Sequence, residues 1–360
     1  MKINNLIKKY SYLFDESDEK EKVEIARKLA GDLREIKKEN EDLFRKQIFK
    51  ICRCYYVKRK IMNYSPIQKI EEFLYMYCIR RFIFYFKKLF NISSDMPESF
   101  YLKPAYYWEY EHEVNWFGYW GDDIIDNFDL YCELIDDLND SKSRLILINI
   151  MMARLTNNWK YYSICCDNRR KEYFDDEIIN LAIKEQIVID GGGFTGDTYQ
   201  NYYRFLGKEE GECIKKWYLY EPDRLNMDKA RENLRGKKNV VFRQVGLGES
   251  NGMSFFDASG SVGSSCREEG NESIEVVTLD SDVKEKITFL KLDIEGKELE
   301  ALKGAYRHLI EDKPQLAICL YHKRKDILEI INYIRSVNSD YNFFIRHYSE
   351  AHWDTVLYAV

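Results

Sequence analysis

Proline is scarce in this sequence, five in 360 residues, and the 18 glycines are equally far from the content of a fibrous or disordered chain. No apolar run reaches the roughly 20 residues that a membrane span requires. The nearest approach, FLYMYCIRRFIFYFKKLF from Phe73 to Phe90, is split by Arg80 and Arg81. The first residues, MKINNLIKKYSYLF, are basic but lack an uninterrupted apolar stretch and a small-residue cleavage site, so export is not expected. Nine cysteines include no C-x-x-C pair; the tightest spacings are Cys52 with Cys54 and the adjacent Cys165 and Cys166. That pattern favours neither zinc nor a disulfide framework, and reduced, buried thiols in a cytoplasmic protein are the expectation. Strong charge is missing too: a net charge of -6 argues against nucleic acid as a partner of the whole chain.

What is present begins with aromatics, 28 Tyr and 20 Phe, which suit aromatic cores or binding surfaces. Charge is unevenly spread. From Arg45 to Lys88 it is almost entirely basic, whereas Glu109, Glu111, Glu113, Asp122, Asp123 and Asp126 reverse the balance. The Phe73–Phe90 stretch reads as a packed helix. A second reading lays it on an anionic membrane surface, a peripheral contact through residues 45–90.

Three regions follow from the rhythm of the chain. Residues 1–120 read as helical and irregular, with Ser17 as the cap of a helix that carries Leu29, Leu33 and Ile36 at helical spacing. Residues 121–185 form a helical lead-in. From 186 to 360 short apolar runs alternate with amphipathic helices, which predicts an α/β domain with a mostly parallel sheet. IVID, WYLYE, NVVFRQV, ITFLKLD and QLAICLY read as its strands in order. NFFIRHYS and DTVLYAV close the chain as a hairpin, too near each other for a helical crossover, so the last strand should run against the rest. The Ser/Gly-rich segment from Asp257 to Glu272 reads as an exposed loop beside a hairpin, or as a lid over a substrate.

The motif that carries chemistry is VIDGGGFTGDT. Gly191, Gly193 and Gly196 have the G-x-G-x-x-G spacing of a phosphate-cradling turn, yet Asp190 precedes them and Asp197 and Thr198 follow. A pyrophosphate held at about 5 Å from Asp190 would meet roughly 3 kcal/mol of repulsion at an effective dielectric near 20. S-adenosylmethionine has no phosphate and presents an ammonium and a sulfonium, so it fits such a turn better. Glu221, at the end of the second strand, is then the acceptor for ribose hydroxyls. Asp293 falls at another strand end, where ligands of open parallel sheets bind.

These stretches, with LYEPD at Glu221, VVTLD ending at Asp280 and above all LKLDIEGKELEALKGA from Leu290 to Ala305, resemble FkbM-type methyltransferases of the class I S-adenosylmethionine-dependent superfamily. The resemblance covers roughly residues 125–360; Gly193 stands where the family often has Ala. It implies a Rossmann-like sheet of seven strands with the last antiparallel, S-adenosylmethionine as cofactor, and O-methylation of a hydroxyl, often on a sugar or another small natural product. Residues 1–120 match no family.

Methyl transfer to a hydroxyl needs an in-line geometry and a proton acceptor. Asp293, His322 at the end of the next strand and His347 on the penultimate strand are the catalytic candidates. Asp190, Gly191, Gly193, Gly196, Asp197, Thr198, Glu221 and Asp293 are the cofactor-binding ones. Asp293 with Glu295 offers too few oxygen ligands for a metal, and none is expected. The expected partner is a small-molecule or glycan acceptor. Two other classes compete: an NAD(P)-dependent oxidoreductase, suggested by the glycine spacing, and a noncatalytic helical module fused to a methyltransferase-like domain.

Overall fold

The computed structural model describes residues 3–48, 120–180, 185–206, 214–256, 266–267 and 272–360. The Phe73–Phe90 stretch, most of the basic block and most of the Asp257–Glu272 segment lie outside the described residues. Two compact units divide the chain, Met1–Phe128 with Met151–Asn158, and Asp129–Ile150 with Trp159–Val360. Among the described residues no helix is long and apolar enough to cross a membrane.

In the first unit, α1 (Ile3–Asp15) buries Ile3, Leu6, Ile7, Tyr10 and Phe14, a single stripe at helical spacing. The second helix, α2 (Glu19–Glu39), buries Ala26, Leu29, Ala30 and Leu33. A hydrogen bond from Tyr10 Oη to Asp32 Oδ2 (2.8 Å) ties the two together. The cap of α2 is Asp18, whose carboxylate accepts from the Glu21 amide at 3.0 Å. Ser17, the expected cap, donates instead to the Leu13 carbonyl and finishes the preceding helix. The lead-in forms two helices, α3 (Gly121–Asp137) and α4 (Ser141–Thr156), separated at residues 138–140.

The second unit is built on a seven-stranded sheet. Its strands are β1 (Gln186–Gly191), β2 (Ile214–Tyr220), β3 (Val240–Arg243), β8 (Phe289–Leu292), β9 (Gln315–Cys319), β10 (Phe343–His347) and β11 (Thr355–Ala359), in the spatial order β10-β11-β9-β8-β1-β2-β3. Only β11 runs antiparallel to its neighbours. This is the mostly parallel sheet with a reversed last strand that the apolar runs and the terminal hairpin predict. The strands are apolar on both faces because helices such as α5 (Asp197–Leu206), α6 (Arg224–Asn233) and α8 (Asp326–Val337, after the short α7, Glu298–Lys303) flank them, and all six residues of β1 are buried. Trp217, Tyr199, Tyr202, Phe174 and Phe289 form the aromatic centre of the core.

A second, four-stranded sheet of β4 (Gly246–Leu247), β5 (Gly252–Phe256), β6 (Cys266–Arg267) and β7 (Glu272–Val277) is the feature the sequence reading lacks. Two of its strands have only two residues, too few to show any period. Antiparallel β5 and β7 flank the Asp257–Glu272 segment as the hairpin expected there.

The chain steps outward from β1 to β2 and β3, then returns to place β8 on the other side of β1. This reversal of strand order is where open α/β sheets bind ligands, beyond the carboxyl ends. Asp190 pairs with Lys291 and Gly191 with Leu292 across it, so the glycine turn and the Asp293 loop leave the sheet side by side.

Candidate active site

The glycine turn is closed by its own amides. Gly192 and Gly193 both donate to the Tyr220 carbonyl, at 3.0 and 2.9 Å, and Gly196 donates to the Gly193 carbonyl at 2.8 Å. The Phe194 amide donates to Glu221 Oε2 at 3.0 Å. Phosphate-binding turns work by aiming unpaired amides at the anion, and here these four donors have acceptors within the protein. Gly192 is the glycine most constrained by packing. At φ +72° a Cβ there would sit 1.8 Å from the Asp293 carbonyl oxygen, so the turn lies directly on the Asp293 backbone. Gly196, at φ +81°, leads into α5, which begins with the exposed Asp197 and the buried Thr198.

Asp190 is fully buried and paired with Lys291. The Lys291 ammonium lies 3.0 Å from Asp190 Oδ1 and donates to the Gly191 and Gly192 carbonyls at 3.1 and 2.7 Å, while Trp217 Nε1 donates to Asp190 Oδ2 at 3.2 Å. Burial opposes the charge of Lys291, but Asp190 and Asp293 outweigh it and hold its pKa above the ordinary value. The Asp190 carboxylate is thus the internal counter-ion of a lysine that clamps the first two carbonyls of the turn. Lys291 went unnoticed in the sequence, although a lone basic residue inside the apolar run ITFLKLD signals a buried partner.

Glu221 is also mostly buried, and its Oε1 accepts from the Asp223 amide at 2.8 Å. Burial pushes its pKa up to about 7 against the opposing effect of the two amides. Glu221 therefore braces the turn from β2.

Across the switch point Asp293 gathers a second cluster. Tyr173 Oη donates to its Oδ2 and Tyr321 Oη to its Oδ1, each at 2.9 Å, and His322 Nε2 lies 3.4 Å from Oδ1. Burial works against the Asp293 charge, but Lys291, His322 and the two phenols hold its pKa below the carboxylate range. Beyond Asp293 the chain turns left-handed at Glu295 (φ 55°) and Gly296 (φ 90°). This turn, not a continued strand, brings Glu295 Oε2 to 3.7 Å from His322 Nε2. Glu298, fully buried, accepts from the Ile294 and Gly296 amides and reaches His322 Nδ1 at 2.9 Å. Burial disfavours charge on His322, yet Glu298, Asp293 and Glu295 raise its pKa to about 10. At neutral pH the imidazole is therefore a cation and a hydrogen-bond donor. Burial, reinforced by Asp354 and Asp293, raises the neighbouring Glu172 to about 8.

The structure thus brings Asp293 and His322 together and leaves His347 apart. His347 is fully buried at the end of β10, its Nδ1 2.8 Å from Thr355 Oγ1 and its ring 5.1 Å from that of Tyr162. Tyr173 lies 120 residues before Asp293 and Glu172 directly precedes Tyr173, both outside any strand, where spacing gives no signal. Trp159, His352 and Trp353 form a further aromatic group, with ring centroids 4.8–5.9 Å apart, and Trp353 is exposed beside the buried Asp354.

Comparison with solved structures places this arrangement. A crystal structure of methyltransferase FkbM from Methylobacillus flagellatus KT is 29% identical, with a TM-score of 0.60 over 67% of this chain, and the match spans 61% of that protein's length. Two others are far more distant. Aeropyrum pernix fibrillarin with bound S-adenosyl-L-methionine is 13% identical (TM-score 0.35, 56% of this chain and 76% of that one). A Streptococcus thermophilus rRNA methylase is 17% identical (TM-score 0.33, 49% and 86%). No curated protein matches the chain. The model of the methyltransferase FkbM domain matches residues 157–343, more than half of the sequence, including the glycine turn, Glu221, Asp293 and His322. The chain belongs to the FkbM methyltransferase family.

Proposed function

We propose that this protein transfers the methyl group of S-adenosylmethionine to a hydroxyl of a glycan or another small natural product. The observation that carries the reading is the contact of Gly192 with the Asp293 backbone. It joins a turn whose Gly192, Gly193, Phe194 and Gly196 amides already have acceptors, which suits a ligand without phosphates, to a cluster of acid–base groups. The turn fits the cofactor in a further respect: the left-handed Gly192 lets it lie directly on the Asp293 backbone, and Glu221 has lone pairs for ribose hydroxyls. A nicotinamide dinucleotide would find the four turn amides nearest Glu221 already engaged.

When bound, the cofactor supplies an electrophilic methyl on sulfur. Gly192 and Glu221 would hold the cofactor, and passage of the methyl to an acceptor oxygen, with the carbon–sulfur electrons left on sulfur, would yield S-adenosylhomocysteine. The work of the protein is alignment. The His322 imidazolium donates to the acceptor oxygen and orients it, and a carboxylate of the same cluster takes the hydroxyl proton. Asp293, locked by Tyr173 and Tyr321, keeps His322 and the loop in place. The aromatic group of Trp159, His352 and Trp353 supports an acceptor with a flat apolar face, as a sugar ring has.

The test is incubation of the full chain with S-adenosylmethionine labelled on the methyl group and a cell extract separated into glycan, lipid, nucleic acid and small-molecule fractions. Base-labile or nucleic-acid label would contradict the reading; alkali-stable ether label in glycan or small molecules is expected. The N-terminal residues and a peripheral membrane contact through residues 45–90 remain a separate proposal, tested by flotation of the full chain with anionic vesicles, where failure to float ends it.

A further inference from the structure

Three side chains, Asp293 after β8, Glu298 at the start of α7 and His322 after β9, converge in a way that methyl transfer does not require. Asp293, Glu298 and His322 each bring one ligand atom to within 4.8 Å of the others. Each carboxylate is held from behind. The phenols of Tyr173 and Tyr321 fix Asp293, and the amides of Ile294 and Gly296 fix Glu298 through Oε1. Such outer hydrogen bonds orient carboxylates that ligate metals.

What faces inward is left without satisfaction. Glu298 Oε2 is buried and has no hydrogen-bond partner, and neither nitrogen of the His322 ring, whose side chain is only 8% exposed, lies on the axis of a hydrogen bond. The nitrogens instead sit 2.9 Å from Glu298, 3.4 Å from Asp293 and 3.7 Å from Glu295. Two carboxylates, those of Asp293 and Glu298, share this mostly buried space with one imidazole, which ligates an ion only through a nitrogen that has given up its proton. Uncompensated buried charge of that kind is costly. A dication would cancel it.

We propose that Asp293, Glu298 and His322 form a site for a divalent cation. Two carboxylate oxygens and one imidazole nitrogen suit manganese, or magnesium more weakly, and with only three protein ligands the ion would keep open positions. An octahedral ion with ligands at about 2.1 Å spans about 4.2 Å between opposite ligands, so small side-chain adjustments close the site. The inference goes beyond the methyltransferase reading, because binding of the ion is measured with no cofactor present.

The experiment uses the full chain, freed of metal by chelation and titrated with manganese while the paramagnetic resonance of free ion is followed. One saturable ion per chain is expected, with electron-spin-echo modulation from a directly bound nitrogen. Glu298→Gln and Asp293→Asn should each weaken binding at least about tenfold, and His322→Gln should abolish the nitrogen modulation, with circular dichroism confirming the fold. Absence of saturable binding at millimolar ion, bound ion without nitrogen modulation in the parent protein, or equal affinity in all folded variants would each overturn the proposal. Calorimetry with S-adenosylhomocysteine on the same metal-free sample separates failure of this site from failure of the cofactor reading.

Discussion

Beside the glycine turn, the two buried carboxylates each have a reply from the protein: Asp190 has Lys291 and Trp217, and Glu221 has the amides of Phe194 and Asp223. At the ends of β8 and β9 the supply of partners falls short, with Asp293, Glu295 and Glu298 sharing the single His322. Both groups of acids lie at the same edge of the same sheet, so position alone does not distinguish them. Partner balance does. The satisfied group builds the shape of the cofactor turn, and the unsatisfied group keeps charge available for a ligand or a reaction.

If that division holds, substitutions in the two groups separate cleanly by readout. His322→Ala has the largest expected effect, a fall in turnover on the order of 10²-fold or more with cofactor affinity little changed; wild-type turnover on the labelled acceptor would remove the histidine from the chemistry. Lys291→Met should strand the buried Asp190 carboxylate and cost about 3–5 kcal/mol of stability by urea unfolding, with Asp190→Asn in the same chain restoring much of it. A loss below about 1 kcal/mol would show that the pair is not what holds the turn.

Gly192→Ala should add to the roughly 1–3 kcal/mol cost of a left-handed backbone a forced shift of the Asp293 carbonyl, and should weaken S-adenosylhomocysteine binding sharply. Unchanged affinity in calorimetry would detach the turn from the cofactor. The smallest effect concerns Glu221. Its folded pKa of about 7 stands above an unfolded value near 4.3, so the folded chain binds the proton more tightly. The stability it contributes is full below about pH 4.3 and is lost as the pH rises toward 7. Glu221→Gln should flatten that part of the pH profile by on the order of 1 kcal/mol per pH unit, and a profile identical to the parent's would contradict the raised pKa.

The seven strands of the main sheet were legible because each is a short, nearly continuous apolar run bounded by turn residues, and the close spacing of β10 and β11 fixed the reversed edge of the sheet. The four-stranded sheet was not, since β4 and β6 are too short for periodicity. Helix ends shifted by a residue where two capping side chains, Ser17 and Asp18, stand together and only geometry chooses between them. In the site, Asp293, His322 and Glu221 were readable from the rule that strand ends carry function. Their partners were not. Tyr173 and Lys291 act across roughly 100 residues or more of sequence, and Glu298 acts through a left-handed turn that no spacing rule anticipates. The placement of Asp190 shows the same limit from the other side: the carboxylate was visible, but its cation came from the neighbouring strand.

The central claim is that the turn lying on Asp293 receives an adenosyl sulfur compound and not a dinucleotide. Isothermal calorimetry of the full chain with S-adenosylhomocysteine and, separately, with NADH tests it most directly. Saturable binding of one S-adenosylhomocysteine per chain and no heat with NADH is the predicted result; NADH binding with S-adenosylhomocysteine silent would contradict it.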